Sequence, residues 1–491
     1  MFSTNRRNIN FTIIIRLLGI LLMIEAAFMG VAMGVCFIYE EYSEVPTFIY
    51  SILATLGFGA AMTFLTPHGD NNMGKREGIL LTGLTWVEFS AFGSLPFILG
   101  CTKMTPAEGF FETMSGFTTT GVSVIENVEI VTHGVLFWRA ITHLLGGMGI
   151  ILFTLAVIPM LNKSSGIQLF NAEVTGITHD KLRPRISHTA KGLWMVYVAL
   201  SGTLILLLWA GPMNLFDAIC HSFSTISTGG FSTKCDSIEA YDSDYVKIVV
   251  TIFMYLSGIN FALMFNAAMG NVKPLFKNDT VRWFTMICVV AFILIATDLY
   301  IVGNYDDIPS LFIDTNFQIL SAITTTGFTG SNYTDWQGLP IVIIMLVMLI
   351  GACAGSTSGS MKVDRIILTA KNLHNELYKL VHPNTIVPLR VNGKVMQPDL
   401  ISKTSAFMIL YFMLVIGGTA VLISYDISIF DALFAVISCA GNVGLGYGLT
   451  GSNYAVIPDP CKWVLSAVML IGRLEIFTII VIFTKAFWNK E

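Results

Sequence analysis

The sequence predicts an all-α membrane protein: an N-terminal helical pair, then four copies of a unit made of a spanning helix, a short re-entrant helix, a loop and a second helix. Composition, the lengths of the apolar runs and a segment that recurs four times in register predict it. Of the 491 residues, 54% are hydrophobic and 12% charged, against about 25% charged in soluble domains. Apolar stretches near the ~20 residues that cross a hydrocarbon core recur from end to end, among them 13–38, 48–65, 79–99 and 135–161. They leave no room for a large soluble domain.

The first apolar run follows Arg6 and Arg7 and contains Arg16. It is too long for the apolar core of a secretory signal and no small-residue cleavage pattern follows it, so it reads as a spanning helix. The eight cysteines are scattered without a C-x-x-C pair, which suggests neither a zinc site nor a disulfide framework but small packing residues. Net charge is −4, and its placement says more than its sum. Lys and Arg concentrate in 67–77, 162–191, 271–282, 362–403 and 485–491, which marks those segments as cytoplasmic. The intervening segments carry acids: Glu40, Glu41 and Glu44, then Glu126 and Glu129, Asp236, Glu239, Asp242 and Asp244, Asp306 and Asp307, and Asp459. Both sets agree with ten full spans and both termini inside, provided the short apolar stretches before 121, 230, 327 and 444 re-enter rather than cross.

Those four stretches are the repeats: EGFFETMSGFTTTGVS from Glu108, DAICHSFSTISTGGFS from Asp217, DTNFQILSAITTTGFT from Asp314 and DALFAVISCAGNVGLG from Asp431. Aligned on Gly121, Gly230, Gly327 and Gly444, each has an acid thirteen residues earlier and a serine (Ser115, Ser224, Ser321, Ser438) six earlier. Two residues before the glycine stand Thr119, Thr228, Thr325 and Asn442, small side chains with an acceptor oxygen. The repeats divide the chain into an extension (1–66) and units at 67–161, 162–271, 272–385 and 386–491.

Backbone that is neither helix nor closed barrel survives at membrane depth only when buried in protein or lining an aqueous cavity, so the loops are candidate pore lining. An acid opening each short helix complements its positive end, and the helix then aims its negative end at the membrane centre, where a cation gains most. A dehydrated cation needs a cage of oxygens, which rings of main-chain carbonyls supply. Glycine suits such a ring because four strands must approach one axis without a Cβ. The carbonyls of Thr119, Thr120 and Gly121, of Thr228, Gly229 and Gly230, of Thr325, Thr326 and Gly327, and of Asn442, Val443 and Gly444 are the expected ion-binding filter.

Two further features stand out. In the second helix of the third unit, 351–360 reads GACAGSTSGS, a break that frees backbone groups; a hinge or a close helix contact are alternatives. Arg473 is an intramembrane cation and so a functional candidate by default, with pairing to Glu475 as the plainer reading. Arg139 and His143 read as interhelical contacts, and Glu25 and Glu88 as carboxyls satisfied inside the bundle.

The four Thr-x-Gly or Asn-x-Gly loops, with LFWRAITHLLGGMGIILF, GACAGSTSGSMKVDRI and IGRLEIFT, resemble the Trk/Ktr/HKT superfamily of K+ transporters. The helical pair before residue 67 resembles the TrkH/TrkG-like members rather than the shorter KtrB-like ones. The resemblance implies K+ as the transported ion and channel-like uptake across a bacterial inner membrane. It also implies an intramembrane gate containing Gly351, Gly355, Ser356, Thr357, Ser358 and Gly359, faced by Arg473. A homodimer and a cytoplasmic TrkA-like nucleotide-binding ring are the implied partners, with 162–191 and 362–403 as docking segments. The fourth loop departs from the pattern with Asn442-Val443-Gly444, which breaks fourfold symmetry. No glycine-rich nucleotide motif occurs in the chain, so no organic cofactor and no nucleic acid is expected. A Na+- or H+-coupled symporter would need an ionisable relay inside the spans, and an enzyme one convergent cluster of reactive groups. The notable residues instead are spread over four repeats.

Overall fold

The computed structural model describes residues 9–67, 73–149, 186–305, 307–385 and 387–489. Expectations resting on 150–185, including the inner part of the 135–161 run and most of the basic segment 162–191, lie outside the described residues, as do Arg6, Arg7 and Asp306.

Helix α1 (Phe11–Ile38) starts at Asn10, whose side-chain oxygen accepts from the Ile13 N–H at 3.3 Å, and α2 (Val45–Leu65) starts with a proline in its first turn. They meet at Gly19 and Gly59: a Cβ on Gly19 would stand 2.5 Å from the Gly59 carbonyl oxygen, and one on Gly59 2.7 Å from that of Gly19. Glycine permits this approach, the usual device for packing helices in lipid.

The first unit contains α3 (Lys75–Gly93), the short α4 (Pro106–Phe117) and α5 (His133–Gly147). The second contains α6 (Ile186–Trp209), the short α7 (Leu215–Ile226), α8 (Asp244–Ser257) and α9 (Phe261–Ala268). The third contains α10 (Asp279–Val302), the short α11 (Ile308–Ile323), α12 (Leu339–Ile350) and α13 (Val363–Val381). The fourth contains α14 (Pro398–Ile423), the short α15 (Ile429–Gly441), α16 (Asp459–Arg473) and α17 (Ile476–Ile480). A two-residue antiparallel hairpin, β1 (Arg390–Val391) with β2 (Lys394–Val395), precedes α14. The protein is otherwise all-α among the described residues.

Among the described residues, six helices are long and apolar enough to cross a membrane: α1, α2, α3 with its continuation through Leu99, Lys191–Trp209, α10 and α14. These are the helical pair and the first helix of every unit. The second helices of the later units depart from the expected full spans: α8, α12 and α16 have 14, 12 and 15 residues, about 18–22 Å at ~1.5 Å per residue, against a ~30 Å core. The chain turns by 103° between α8 and α9 and by 113° between α16 and the helix after it. The expected break in the third unit is there, and the second and fourth units break as well. Asn260 explains the second, since its side-chain oxygen caps α9 at 2.8 Å on the Ala262 N–H while its amide donates to the Ala354 carbonyl at 2.8 Å. At the fourth, Glu475 is left-handed (φ +59°) and pairs with Arg365 at 2.6 Å. The freed polar groups are thus satisfied by protein, as membrane depth requires.

Candidate functional site: a ring of four loops

Each short helix ends in the same way. The residue two before the glycine is left-handed in all four loops: Thr119 (φ +53°), Thr228 (+54°), Thr325 (+58°) and Asn442 (+52°). For a β-branched threonine that conformation is strained, and Schellman-type hydrogen bonds hold it. The N–H of Thr120, Gly229, Thr326 and Val443 donates to the carbonyl of Ser115, Ser224, Ser321 and Ser438 at 2.8, 2.8, 2.9 and 2.8 Å. The recurrent serine therefore closes each helix end through its main-chain oxygen. The hydroxyls differ: Ser321 donates to the Phe328 carbonyl at 2.6 Å, and Ser438 accepts from the Gly444 N–H at 3.1 Å.

The glycines are also left-handed, at φ +84°, +86°, +82° and +94° for Gly121, Gly230, Gly327 and Gly444. What surrounds them shows how the loops meet. A Cβ on Gly121 would collide with the Gly229 carbonyl oxygen, one on Gly230 with that of Thr326, one on Gly327 with that of Val443, and one on Gly444 with that of Thr120. The contacts run from the first loop to the second, third, fourth and back to the first, so the four loops close a ring. The Gly121 Cβ would also lie 3.3 Å from the Gly230 Cα, and the Gly444 Cβ 3.3 Å from the Gly121 Cα, so the glycines meet on a common axis. All twelve residues of the expected filter are brought together here.

The acids thirteen residues upstream take two forms. Glu108, Asp217 and Asp431 stand in the first turn of their helices. Asp314 does not: α11 begins earlier, at Ile308 behind an Asp307 cap, so Asp314 lies mid-helix and instead binds Lys247 Nζ at 2.8 Å and accepts from the Tyr305 hydroxyl at 3.2 Å. Lys462 does the same for Glu108, at 3.1 Å. Each lysine lies one unit before the acid it meets, so these pairs also join neighbouring units.

On one side of the ring opens a cavity of about 850 Å³ lined by all four glycines and by Ser123, Glu126, Asp236, Glu239, Asn332 and Tyr447. It is the acid-bearing side. Burial raises the Glu239 carboxyl above its usual range despite the opposing charge of Lys247.

On the other side lies the 351–360 loop. The Gly359 N–H donates to Thr325 Oγ1 at 2.8 Å, and a Cβ on Gly359 would collide with the Gly441 carbonyl oxygen. Thr357 Oγ1 donates to the Ile226 carbonyl at 3.1 Å. Lys362 Nζ donates to the Ser358 carbonyl, and Arg473 reaches the carbonyls of Thr357, Gly146 and Gly147 at 2.8, 2.5 and 3.1 Å. Gly351 and Gly355 supply the left-handed turns, at φ +74° and +78°, and Ser356 Oγ binds Ser358 Oγ at 2.8 Å. Every expected gate residue therefore lies in or against a loop docked under the ring.

These features match a known family. A model described as cation transport protein, TrkH, covers residues 44–490. The chain belongs to the TrkH family. It is 34% identical over 484 residues to the Trk system potassium uptake protein TrkH of Salmonella typhimurium, covering 98% of this chain and 100% of that one. It is 31% identical to the Trk system potassium uptake protein TrkG of Escherichia coli over 97% of this chain and 99% of the relative. The crystal structure of the potassium transporter TrkH from Vibrio parahaemolyticus superposes with a TM-score of 0.89 at 33% identity, covering 98% of this chain and all of that one. The TrkH family is one of transport proteins, not enzymes.

Several residues at the site escape sequence reasoning. Arg473 donates to carbonyls of the loop and of α5, and Glu475 binds Arg365. Lys362, with 5% of its surface exposed, reads in sequence as one of many cytoplasmic basic residues. Glu25 is fully buried and neither of its carboxylate oxygens is hydrogen-bonded among the described residues, contrary to the expectation that it is satisfied, and Glu88 Oε2 also lacks a partner among them. Arg139 makes the interhelical contact expected of it, and its partner, Glu112 at 2.9 Å, was concealed inside the repeat alignment.

Proposed function

We propose that this chain takes up potassium across the cytoplasmic membrane by channel-like conduction, with K+ held by the main-chain oxygens of the four-loop ring. The cyclic contact of each glycine with the next loop's carbonyl carries the reading, because it gathers four strands of oxygens around one axis without a side chain between them. The names of the potassium uptake relatives support it. Residues 119–121, 228–230, 325–327 and 442–444 are the filter. The 351–360 loop with Arg473 is the gate, since it lies directly under the ring and places two cationic side chains on its carbonyls. The units are 67–161, 162–271, 272–385 and 386–491 behind the 1–66 extension. Both termini inside agrees with the Lys and Arg placement, and the bacterial relatives support an inner-membrane location. A homodimer and a cytoplasmic TrkA-like nucleotide-binding ring are the proposed partners, with no organic cofactor on this chain. The groups that meet at the ring are carbonyls and hydroxyls rather than an ionisable relay, which favours conduction over Na+- or H+-coupled symport. The test is growth of a cell lacking K+ uptake on low K+: the chain restores growth, and Gly121→Ser or Gly327→Ser loses it. Failure of the unaltered chain to restore growth, despite its presence in the membrane, overturns the proposal.

A further inference from the structure

Two residues beyond each ring glycine stands a second set of main-chain oxygens, those of Ser123, Ser232, Thr329 and Gly446. Each accepts a hydrogen bond from the preceding unit. Arg139 Nη1 donates to the Ser232 carbonyl at 3.2 Å, the Ile238 N–H to that of Thr329 at 3.1 Å, the Tyr333 hydroxyl to that of Gly446, and the Tyr454 N–H to that of Ser123 at 2.8 Å. The bonds form a girdle around the ring, running in the same cyclic order as the glycine contacts. Three ties are neutral. The tie between the first and second units is a guanidinium.

Arg139 spends its whole fork there. Its Nε binds Glu112 Oε1 at 2.9 Å, its Nη2 donates to Ser123 Oγ at 3.2 Å, and its planar face covers the Phe231 ring at 4.0 Å. Glu112, fully buried, accepts also from Ser123 Oγ at 3.0 Å and from the Val124 N–H at 2.9 Å. Phe231, next to Gly230, stacks with His143 at 4.2 Å as well. One side chain therefore grips the exits of two neighbouring filter loops, while Glu112 neutralises its charge beside the ion path. Nine residues before their glycines, the other units have His221, Gln318 and Ala435 in the place of Glu112, so no other unit can build this ion pair.

We propose that Arg139 is a positioning residue for ion selection, the charged member of a girdle that fixes the spacing of the ring oxygens and so its preference for potassium over sodium. This rests on the potassium uptake reading above. The physical reason is that a cage discriminates between two monovalent cations only while its oxygens hold their separation, and a planar three-way donor holds it where a point charge does not.

The experiment measures K+ and Na+ flux ratios for the full chain in liposomes. Arg139→Lys keeps the charge for Glu112 but cannot reach Ser123 and Ser232 together, and is expected to lower the K+/Na+ ratio roughly tenfold. The double variant Glu112→Gln with Arg139→Gln leaves no unpaired charge and is expected to do the same. Tyr333→Phe removes one hydroxyl from the girdle while keeping the buried ring, and lowers the ratio to a smaller extent. A residue that served only folding would alter the amount of protein in the membrane and leave the ratio of the remainder unchanged. An unaltered ratio in Arg139→Lys overturns the inference. Where both Arg139 variants fail to fold, an unaltered ratio in Tyr333→Phe overturns it and a lowered one upholds it. Absence of K+ flux in the unaltered chain would instead sink the potassium reading itself.

Discussion

At the scale of single residues, each filter loop turns on one left-handed position two residues before its glycine. A left-handed threonine is strained by roughly 1–2 kcal/mol, and the fold accepts three of them plus Asn442, each held by the hydrogen bond to the serine carbonyl of its own helix. The glycines were legible in sequence because any Cβ there has nowhere to go. Thr119, Thr228 and Thr325 were legible as acceptor side chains but not as helix terminators, since that place ordinarily goes to glycine or asparagine. Gly230→Ala is expected to abolish selective K+ uptake while leaving the protein in the membrane, because the added methyl meets the Thr326 carbonyl; uptake assayed beside membrane abundance checks it. Asn442 donates to Thr120 Oγ1 at 2.9 Å and to the Met469 carbonyl at 3.0 Å. Asn442→Asp turns both donors into acceptors and buries a charge, so K+ uptake is expected to fall at least roughly tenfold, whereas Asn442→Thr, matching the other loops, retains more of it.

At the scale of elements, two kinds of helix were read with unequal success. The long first helices and the four short ones were plain from length and from the repeat register. The breaks after α8 and α16 were not, because Gly258-Ile259-Asn260 sits in an apolar run that looks continuous and Arg473 and Glu475 read as a charge pair within one span; Asn260's bond to Ala354, a residue 94 positions away, shows why the chain turns after α8. Asp314 was misplaced for a related reason, as an earlier Asp307–Pro309 start gives α11 an extra turn and more. The α1–α2 contact gives an element-scale prediction. Gly19→Leu forces a side chain against the Gly59 carbonyl and is expected to destabilise the folded protein by about 1–3 kcal/mol, read as a lower thermal midpoint in detergent with the K+/Na+ ratio unchanged. The proposed gate gives another. Arg473→Gln withdraws a cation from the Thr357 carbonyl and is expected to raise K+ leak through purified protein lacking any partner; a leak equal to that of the unaltered chain would remove Arg473 from the gate.

At the scale of the whole molecule, neighbouring units are tied to one another all the way around the axis. Ring glycines press on the next loop's carbonyl, lysines 247 and 462 reach the next unit's acid, and the 351–360 loop bridges from the third unit to the ends of the second and fourth short helices. Such closure holds main-chain oxygens apart at fixed distances, which is what substitution for the hydration shell of an ion requires. The proposed conducting pathway needs no second ion. K+ entry into liposomes holding the chain is therefore expected to persist with equal pH and equal Na+ on both sides, and dependence on either gradient would speak for coupling. The most direct measurement of the central claim is anomalous diffraction from crystals of the protein grown with Rb+ or Tl+ in place of K+. A peak is expected on the axis between the carbonyls of Thr120, Gly229, Thr326 and Val443; a ring empty of signal, with the ion found only among the acids of the outer cavity, would overturn the proposed filter.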